Sequence, residues 1–184
     1  SDRLLGLGEL TDKQIRNLFD NRLELTQDDI EFADYVWQLY CSDNPIRLEN
    51  LTDFDSYQFK YLGPSIQAHL KRFPTIKNGL NELENRILAL AAEEKTKSKK
   101  ALIGTLIENQ GWYGFGDSQF QRILTTLRPL FISFAPTRLS KKGKAILEQQ
   151  TSYYPDIRDN EAYLGGALKY NFLYNTEAGR ILKL

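Results

Sequence analysis

Residues 115–147, FGDSQFQRILTTLRPLFISFAPTRLSKKGKAIL, decide the predicted fold of this 184-residue chain. Their first part has apolar residues at spacings of three and four, which predicts an amphipathic helix. The apolar face of this helix consists of Phe120, Ile123, Leu124 and Leu127. Two short stretches, 130–134 and 137–139, then flank Ala135-Pro136 and predict a two-stranded ribbon. Ser140 follows as the predicted N-cap of another helix.

Two more helices are predicted upstream of this stretch. Asn81 and Glu84 stand three residues apart, as in a capping box, and predict the start of the first helix. A second helix is predicted around Leu102–Ile107, and a third begins at Asp117, its expected N-cap. Three short helices followed by a ribbon are typical of a winged helix-turn-helix, so residues 77–150 are predicted to form such a unit.

The flanking segments predict a helical bundle and a hairpin. Thr11 and Thr26 are the expected N-caps of two helices within residues 1–76. In residues 151–184, apolar and polar side chains mostly alternate along 168–175, which predicts one strand of a hairpin. The chain is therefore predicted to be mainly α with small β elements. It comprises an N-terminal helical bundle, a winged-helix-turn-helix-like unit and a C-terminal β-hairpin that packs on the rest.

The charged side chains are distributed unevenly, although the net charge is zero. Residues 1–94 contain 10 basic and 17 acidic side chains, a net charge of −7. Residues 95–144 contain 10 basic and 2 acidic side chains, a net charge of +8, and residues 145–184 contain 4 and 5, a net charge of −1. A basic segment can attract a polyanion locally. The alternative is that the basic and acidic segments face each other or lie on solvated surfaces.

The third predicted helix supplies the candidate DNA-binding residues. If its apolar face is buried, its opposite side presents side chains that can bond to base edges in a major groove. These residues are Ser118, Gln119, Gln121, Arg122 and Thr125. Basic residues of the ribbon and the next helix are expected to neutralise flanking phosphates. They are Arg138, Lys141, Lys142 and Lys144. We therefore expect a regulatory module whose partner is double-stranded DNA.

A protein-interaction or scaffold domain is the main alternative, because a winged-helix shape does not determine function. The third helix would then pack on a protein partner or on a further N-terminal domain. Burial of Gln119 and Arg122 would contradict DNA binding, whereas an exposed apolar patch would favour protein interaction. An enzyme is a distant third alternative, since no catalytic constellation is visible, and no cofactor is expected.

Other residues that could carry chemistry have simpler structural explanations. Cys41, the only cysteine, excludes an intramolecular disulfide and a cysteine zinc cluster, and it is expected to pack at a helix end. His69, the only histidine, is expected to be a structural residue at or near the surface. The aromatic residues of the loop Gly111–Gly116 are expected to pack on the core and hold the loop in place. No metal site is predicted, and no run approaches the ~18 apolar residues of a membrane helix.

Several motifs occur in an order that resembles an uncharacterised bacterial family. The motifs are GLGELTDKQIRNLFDNRLELT (6–26), YVWQLYCSDNP (35–45), HLKRFPTIKNGLNELENRIL (69–88), FGDSQF (115–120) and YLGGAL (163–168). They resemble the C-terminal region of proteins that carry an N-terminal α/β domain of unknown function, the DUF family eighteen thirty-five. The string KYLGPSIQ (60–67) departs from the Leu-Pro-Phe-Leu type of string expected there. The resemblance implies a cytoplasmic bacterial protein with a further N-terminal domain, and it carries over no catalytic residues.

Overall fold

The computed structural model describes residues 6–184. In the first part of the chain, three α-helices alternate with extended or 3₁₀ segments. They are α1 (Asp12–Asp20), α2 (Gln27–Cys41) and α3 (Leu62–Leu70), with 3₁₀ turns at Leu7–Glu9 and Pro45–Leu51. The expected N-caps are confirmed, because the side chains of Thr11 and Thr26 each accept a bond from the third helical N–H and complete a capping box.

The remainder of the chain consists of short helices and three antiparallel β-hairpins. The helices are α4 (Glu82–Ala92), α5 (Lys99–Glu108), α6 (Asp117–Thr126), α7 (Lys141–Leu147) and α8 (Tyr154–Ile157). The strands are β1 (Phe131–Phe134), β2 (Thr137–Leu139), β3 (Tyr163–Leu164), β4 (Ala167–Leu168), β5 (Phe172–Asn175) and β6 (Arg180–Lys183). The prediction of a mainly α fold with small β elements is confirmed.

Two apolar cores hold these elements together. The larger core combines α4, α5 and α6 with the β1–β2 ribbon and α7, and it includes Phe120, Leu124 and Ile146, all fully buried. The smaller core combines α2 and α3 with the two C-terminal hairpins, through contacts among Leu39, Phe73 and Phe172 and their neighbours. The C-terminal hairpins therefore complete the N-terminal helical part, although about a hundred residues separate them in the sequence.

The junction between the two cores, residues 74–85, contains several buried polar side chains. The Asn78 side chain donates to the carbonyl oxygen of Ile146 at 3.0 Å and accepts from the Leu80 N–H at 3.1 Å. On the other side of the junction, the backbone of residues 74–76 bonds to Tyr174 in β5. Because buried polar groups need partners, these bonds fix the relative position of the two cores.

A buried ion pair ties the C-terminal part to α4. Lys169 Nζ lies 3.1 Å from Glu84 Oε1, and the two side chains are only 11 and 6% exposed. The second carboxylate oxygen of Glu84 accepts the Asn81 N–H at 2.8 Å, so the expected capping box also anchors the pair. Burial by itself lowers the pKa of Lys169, but the adjacent Glu84 carboxylate and Tyr170 outweigh it, so the net shift is upward.

Two local predictions need correction, and one hairpin was missed. Gly116, not Asp117, is the N-cap of α6, because the Gln119 side chain accepts the Gly116 N–H at 2.8 Å. The alternation along 168–175 predicts one strand, but 169–171 form a 3₁₀ turn and β5 begins only at Phe172. The β3–β4 hairpin was not predicted, since it depends on distant backbone: the Gly166 N–H donates to the carbonyl oxygen of Tyr40 at 3.0 Å.

Candidate nucleic-acid interface

One side of α6 is left uncovered by the fold. Phe120 and Leu124 are buried in the larger core, as the helical spacing predicts. The exposed residues of the helix include Ser118, Gln119, Gln121, Arg122, Thr125 and Thr126. Residues 118–126 contain no acidic side chain, and Asp117 lies exposed at the start of the helix. Burial of Gln119 and Arg122 would contradict DNA binding, but both residues are exposed.

The side chains on this surface are not equally free to bind a ligand. Gln119 is engaged in capping α6, and the Thr125 hydroxyl donates to the carbonyl oxygen of Gln121 at 2.9 Å. Within residues 6–184, Arg122 forms no ion pair or side-chain hydrogen bond. Its five donors, held on an exposed helix surface, form a fork that suits base edges or phosphate.

The β1–β2 ribbon follows α6 and presents Arg138 to solvent. Arg138 is paired with Ser133 across the ribbon, whereas Thr137 and Leu139 on either side of it are buried. The Thr137 N–H donates to the carbonyl oxygen of Thr96 at 3.1 Å, so the segment before α5 lies along the free edge of the ribbon. This bond fixes the ribbon against the loop between α4 and α5.

Close packing positions the lysines of α7. A Cβ at Gly143 would lie 2.2 Å from the carbonyl oxygen of Leu130, so α7 can approach the turn before β1 only with glycine here. Lys141 and Lys144 are exposed and, among the residues described, unpaired. Lys142 differs from them, because its Nζ lies 2.5 Å from Asp156 Oδ1. It is therefore less available to phosphate than the sequence predicts.

Two further basic side chains lie near the ribbon, and the sequence does not predict that they are close to each other. Lys99 Nζ and Arg128 Cζ lie 5.8 and 5.6 Å from the centre of the Phe134 ring. Lys99 is at the start of α5, and Arg128 also donates to the carbonyl oxygen of Phe131 at 2.7 Å. Lys97, Lys99 and Lys100 are predicted to extend a phosphate footprint. The proximity of Lys99 to Arg128 depends on tertiary packing and has no local sequence signal.

The remaining candidate residues are placed as follows. Cys41 is exposed and not packed as predicted, because α2 directs it outward at its C-terminal end. His69 is 9% exposed and therefore more buried than predicted. In the loop before α6, Tyr113 and Phe115 pack against the larger core as expected, but Trp112 is 52% exposed.

An apolar groove lies between α2 and α3. The open cavity of this groove has a volume of about 530 Å³. Its walls include Phe32, Val36, Trp37, Tyr40, Ile66 and His69. Helical spacing predicts a packed face on α2 made of Ile30, Ala33, Val36, Trp37 and Tyr40. The last four of these line the groove instead, Trp37 is 62% exposed, and Leu39 is the only residue of α2 that is buried. Nothing within residues 6–184 covers this groove. Helical periodicity alone cannot predict that the apolar face stays uncovered.

Comparison of the chain with models of known protein families, with curated proteins and with solved structures finds no match. The resemblance noted for the sequence motifs therefore stays a prediction. Among the helices of residues 6–184, none combines the length and apolar character needed to span a bilayer. Over the same range, His, Cys, Asp and Glu side chains form no group of three or more that could hold a metal ion.

Proposed function

We propose that residues 77–150 are a winged-helix-type unit that binds double-stranded DNA and serves a regulatory role. The observation that carries this proposal is the uncovered side of α6, which is polar, contains the unpaired Arg122 and has no acid from 118 to 126. The order of α4, α5, α6 and the ribbon supports it, as does the bond between Thr96 and Thr137 at the ribbon edge.

The proposed contacts divide into two classes. Arg122 and Gln121 bond to base edges in the major groove, where a guanidinium can make two bonds to guanine. Arg138 in the ribbon and Lys141 and Lys144 in α7 neutralise phosphates, which contributes affinity without sequence preference. Lys142 joins them only if it leaves Asp156, so its contribution is expected to be smaller.

Salt-dependent DNA binding tests this proposal. Binding of the chain to a mixed-sequence duplex is measured at about 50 and 200 mM salt, because each phosphate contact adds nearly one to the slope of log K against log salt. Replacing Lys141 and Lys144 with alanine should lower this slope by about two. Replacing Arg122 with alanine should weaken binding and flatten the preference among sequences.

The matched control removes three exposed cations outside residues 77–150: Lys60→Ala, Arg180→Ala and Lys183→Ala. It should leave binding nearly unchanged, since it changes the net charge but not the proposed contacts. Absence of binding at the lower salt concentration, or an equal loss in the control, would refute the proposal.

Protein interaction is the second candidate function, and the apolar groove favours it. Soluble proteins rarely leave a large apolar surface uncovered unless it serves binding. The groove lies on α2 and α3, outside residues 77–150, so the two functions are compatible within one chain. Substitutions in the groove should leave DNA binding intact if both proposals hold.

A further inference from the structure

Helix α1 is amphipathic, yet none of its residues is buried. Ile15, Leu18 and Phe19 form a stripe along one side and are 42, 55 and 63% exposed. Leu23 and Leu25, in the extended segment that follows, are 47 and 49% exposed. Both ends of the helix are well defined, because Thr11 caps the first turn and Asn21 bonds back to Asn17. A helix this regular with its apolar side in water lacks a partner surface.

The groove between α2 and α3 has the dimensions of that missing surface. On α2 it extends over the nine residues from Phe32 to Tyr40, which corresponds to about 13 Å at 1.5 Å per residue. Helix α1 also has nine residues. The spacing of Ile15, Leu18 and Phe19, at i, i+3 and i+4, is the pattern with which an amphipathic helix occupies an apolar groove.

We propose that α1 of one copy of this chain docks in the α2–α3 groove of a second copy, and that the exchange is reciprocal. Each copy supplies both a helix and a groove, so a two-fold axis generates two identical contacts and leaves no unfilled groove. Residues 22–26, between α1 and α2, have no regular secondary structure, and no residue of α1 lines the groove of its own chain. This inference does not depend on DNA binding.

The apolar area is sufficient for a stable dimer. The five apolar residues of each arm are 42 to 63% exposed. Two arms and the two grooves that receive them then bury roughly 1,200 Å², at the lower end of the 1,200–2,000 Å² typical of stable interfaces.

Helix α2 is acidic, and two arginines lie beside the apolar stripe of α1, although residues 12–25 as a whole carry no net charge. Helix α2 carries four acidic residues and no basic one, namely Asp28, Asp29, Glu31 and Asp34. The apolar stripe of α1 is flanked by Arg16 and continued by Arg22, whose guanidinium lies 4.2 Å from the centre of the Phe19 ring. In the docked arrangement these arginines approach the acidic helix, which favours the encounter of two copies.

Analytical ultracentrifugation of the chain over a range of concentrations tests the proposal. The wild type should form a dimer. Leu18→Asp should raise its dissociation constant by at least about 30-fold per contact, or roughly a thousandfold for two reciprocal contacts. The matched control is Asn17→Asp, which adds the same charge on the opposite side of α1. It should leave the dimer unchanged, and because α1 has no buried residue both variants should keep the fold.

A mixing experiment identifies the groove as the acceptor. Val36→Asp places a charge in the groove and should also produce monomers. An equimolar mixture of Leu18→Asp and Val36→Asp should recover a heterodimer, because one intact helix still meets one intact groove. Circular dichroism verifies that Val36→Asp remains folded.

Three outcomes would overturn the proposal: a monomeric wild type, a dimer that Leu18→Asp does not weaken, or a mixture that stays monomeric. In a Trp112→Phe background, the fluorescence emission of Trp37 distinguishes docking of α1 in the groove of its own copy from docking in the groove of a second copy. A monomer whose Trp37 emission changes with Leu18→Asp would place α1 in its own groove and refute the exchange.

Discussion

Replacing Lys169 with methionine should destabilise the fold strongly, because it leaves the Glu84 carboxylate buried without its cation. Glu84 is 6% exposed in its side chain, and removing one partner of a buried pair costs about 3–5 kcal/mol. The carboxylate keeps the bond from the Asn81 N–H, so we expect the lower part of this range, about 3 kcal/mol. Methionine retains the length of the lysine stem, which limits the loss of packing.

Urea denaturation followed by circular dichroism measures this effect. With a slope of about 2 kcal/mol per molar urea, the midpoint should fall by roughly 1.5 M. The control is Lys71→Met, which breaks a half-exposed pair with Glu82 and should cost less than about 1 kcal/mol. The double variant Glu84→Gln with Lys169→Met should recover much of the loss, since no charge is then buried. Equal midpoints for Lys169→Met and Lys71→Met would refute the assignment of a buried, energetically coupled pair.

Two further predictions concern His69 and Gly166. Burial, and secondarily the nearby Arg72, lowers the pKa of His69 from 6.5 to about 4, so the unfolded chain binds the proton first as the pH falls. Stability should therefore be complete above pH 6.5 and decline toward pH 4 by up to roughly 3 kcal/mol. His69→Gln, measured by thermal unfolding at pH 7 and 5, should remove most of this decline, and an unchanged decline would contradict the assignment. A Cβ at Gly166 would lie 1.9 Å from the Cys41 carbonyl oxygen, so Gly166→Ala should cost about 3 kcal/mol of unfolding free energy in urea titrations. Gly104 lies in the interior of α5, and a Cβ there would have nothing within 4 Å. Gly104→Ala should therefore stabilise the fold by up to about 1 kcal/mol. Similar losses of unfolding free energy for both substitutions would contradict the close approach at Gly166.

The features that the sequence predicts well are those determined by nearby residues. Thr11, Thr26, Asn81 and Ser140 cap helices as expected, because a cap depends on three or four consecutive residues. The exposed side of α6 was also predicted, since helical periodicity identifies the buried face and the opposite face is then exposed. The cap at Gly116 was missed because Gln119, not Asp117, supplies the bonding side chain.

Features determined by distant contacts were not predicted. Periodicity marks the stripe of Val36, Trp37 and Tyr40 as apolar but cannot show whether another element covers it. Burial of His69 depends on ring contacts with Tyr40 and Phe73, and no local sequence pattern encodes the contact with Tyr40. The pairing of Lys142 with Asp156, fourteen residues apart, likewise follows from the meeting of α7 and α8.

The polar junction at residues 74–85 determines how this molecule can be divided. A cut between residues 76 and 77 would separate the Ile76 N–H from its acceptor, the Tyr174 carbonyl oxygen, and the Thr75 hydroxyl from its acceptor, Asn78 Oδ1. Each fragment would then expose polar groups whose partners remain on the other. The helical part and the ribbon-containing part therefore cannot unfold independently, and a single cooperative transition is expected for the whole chain.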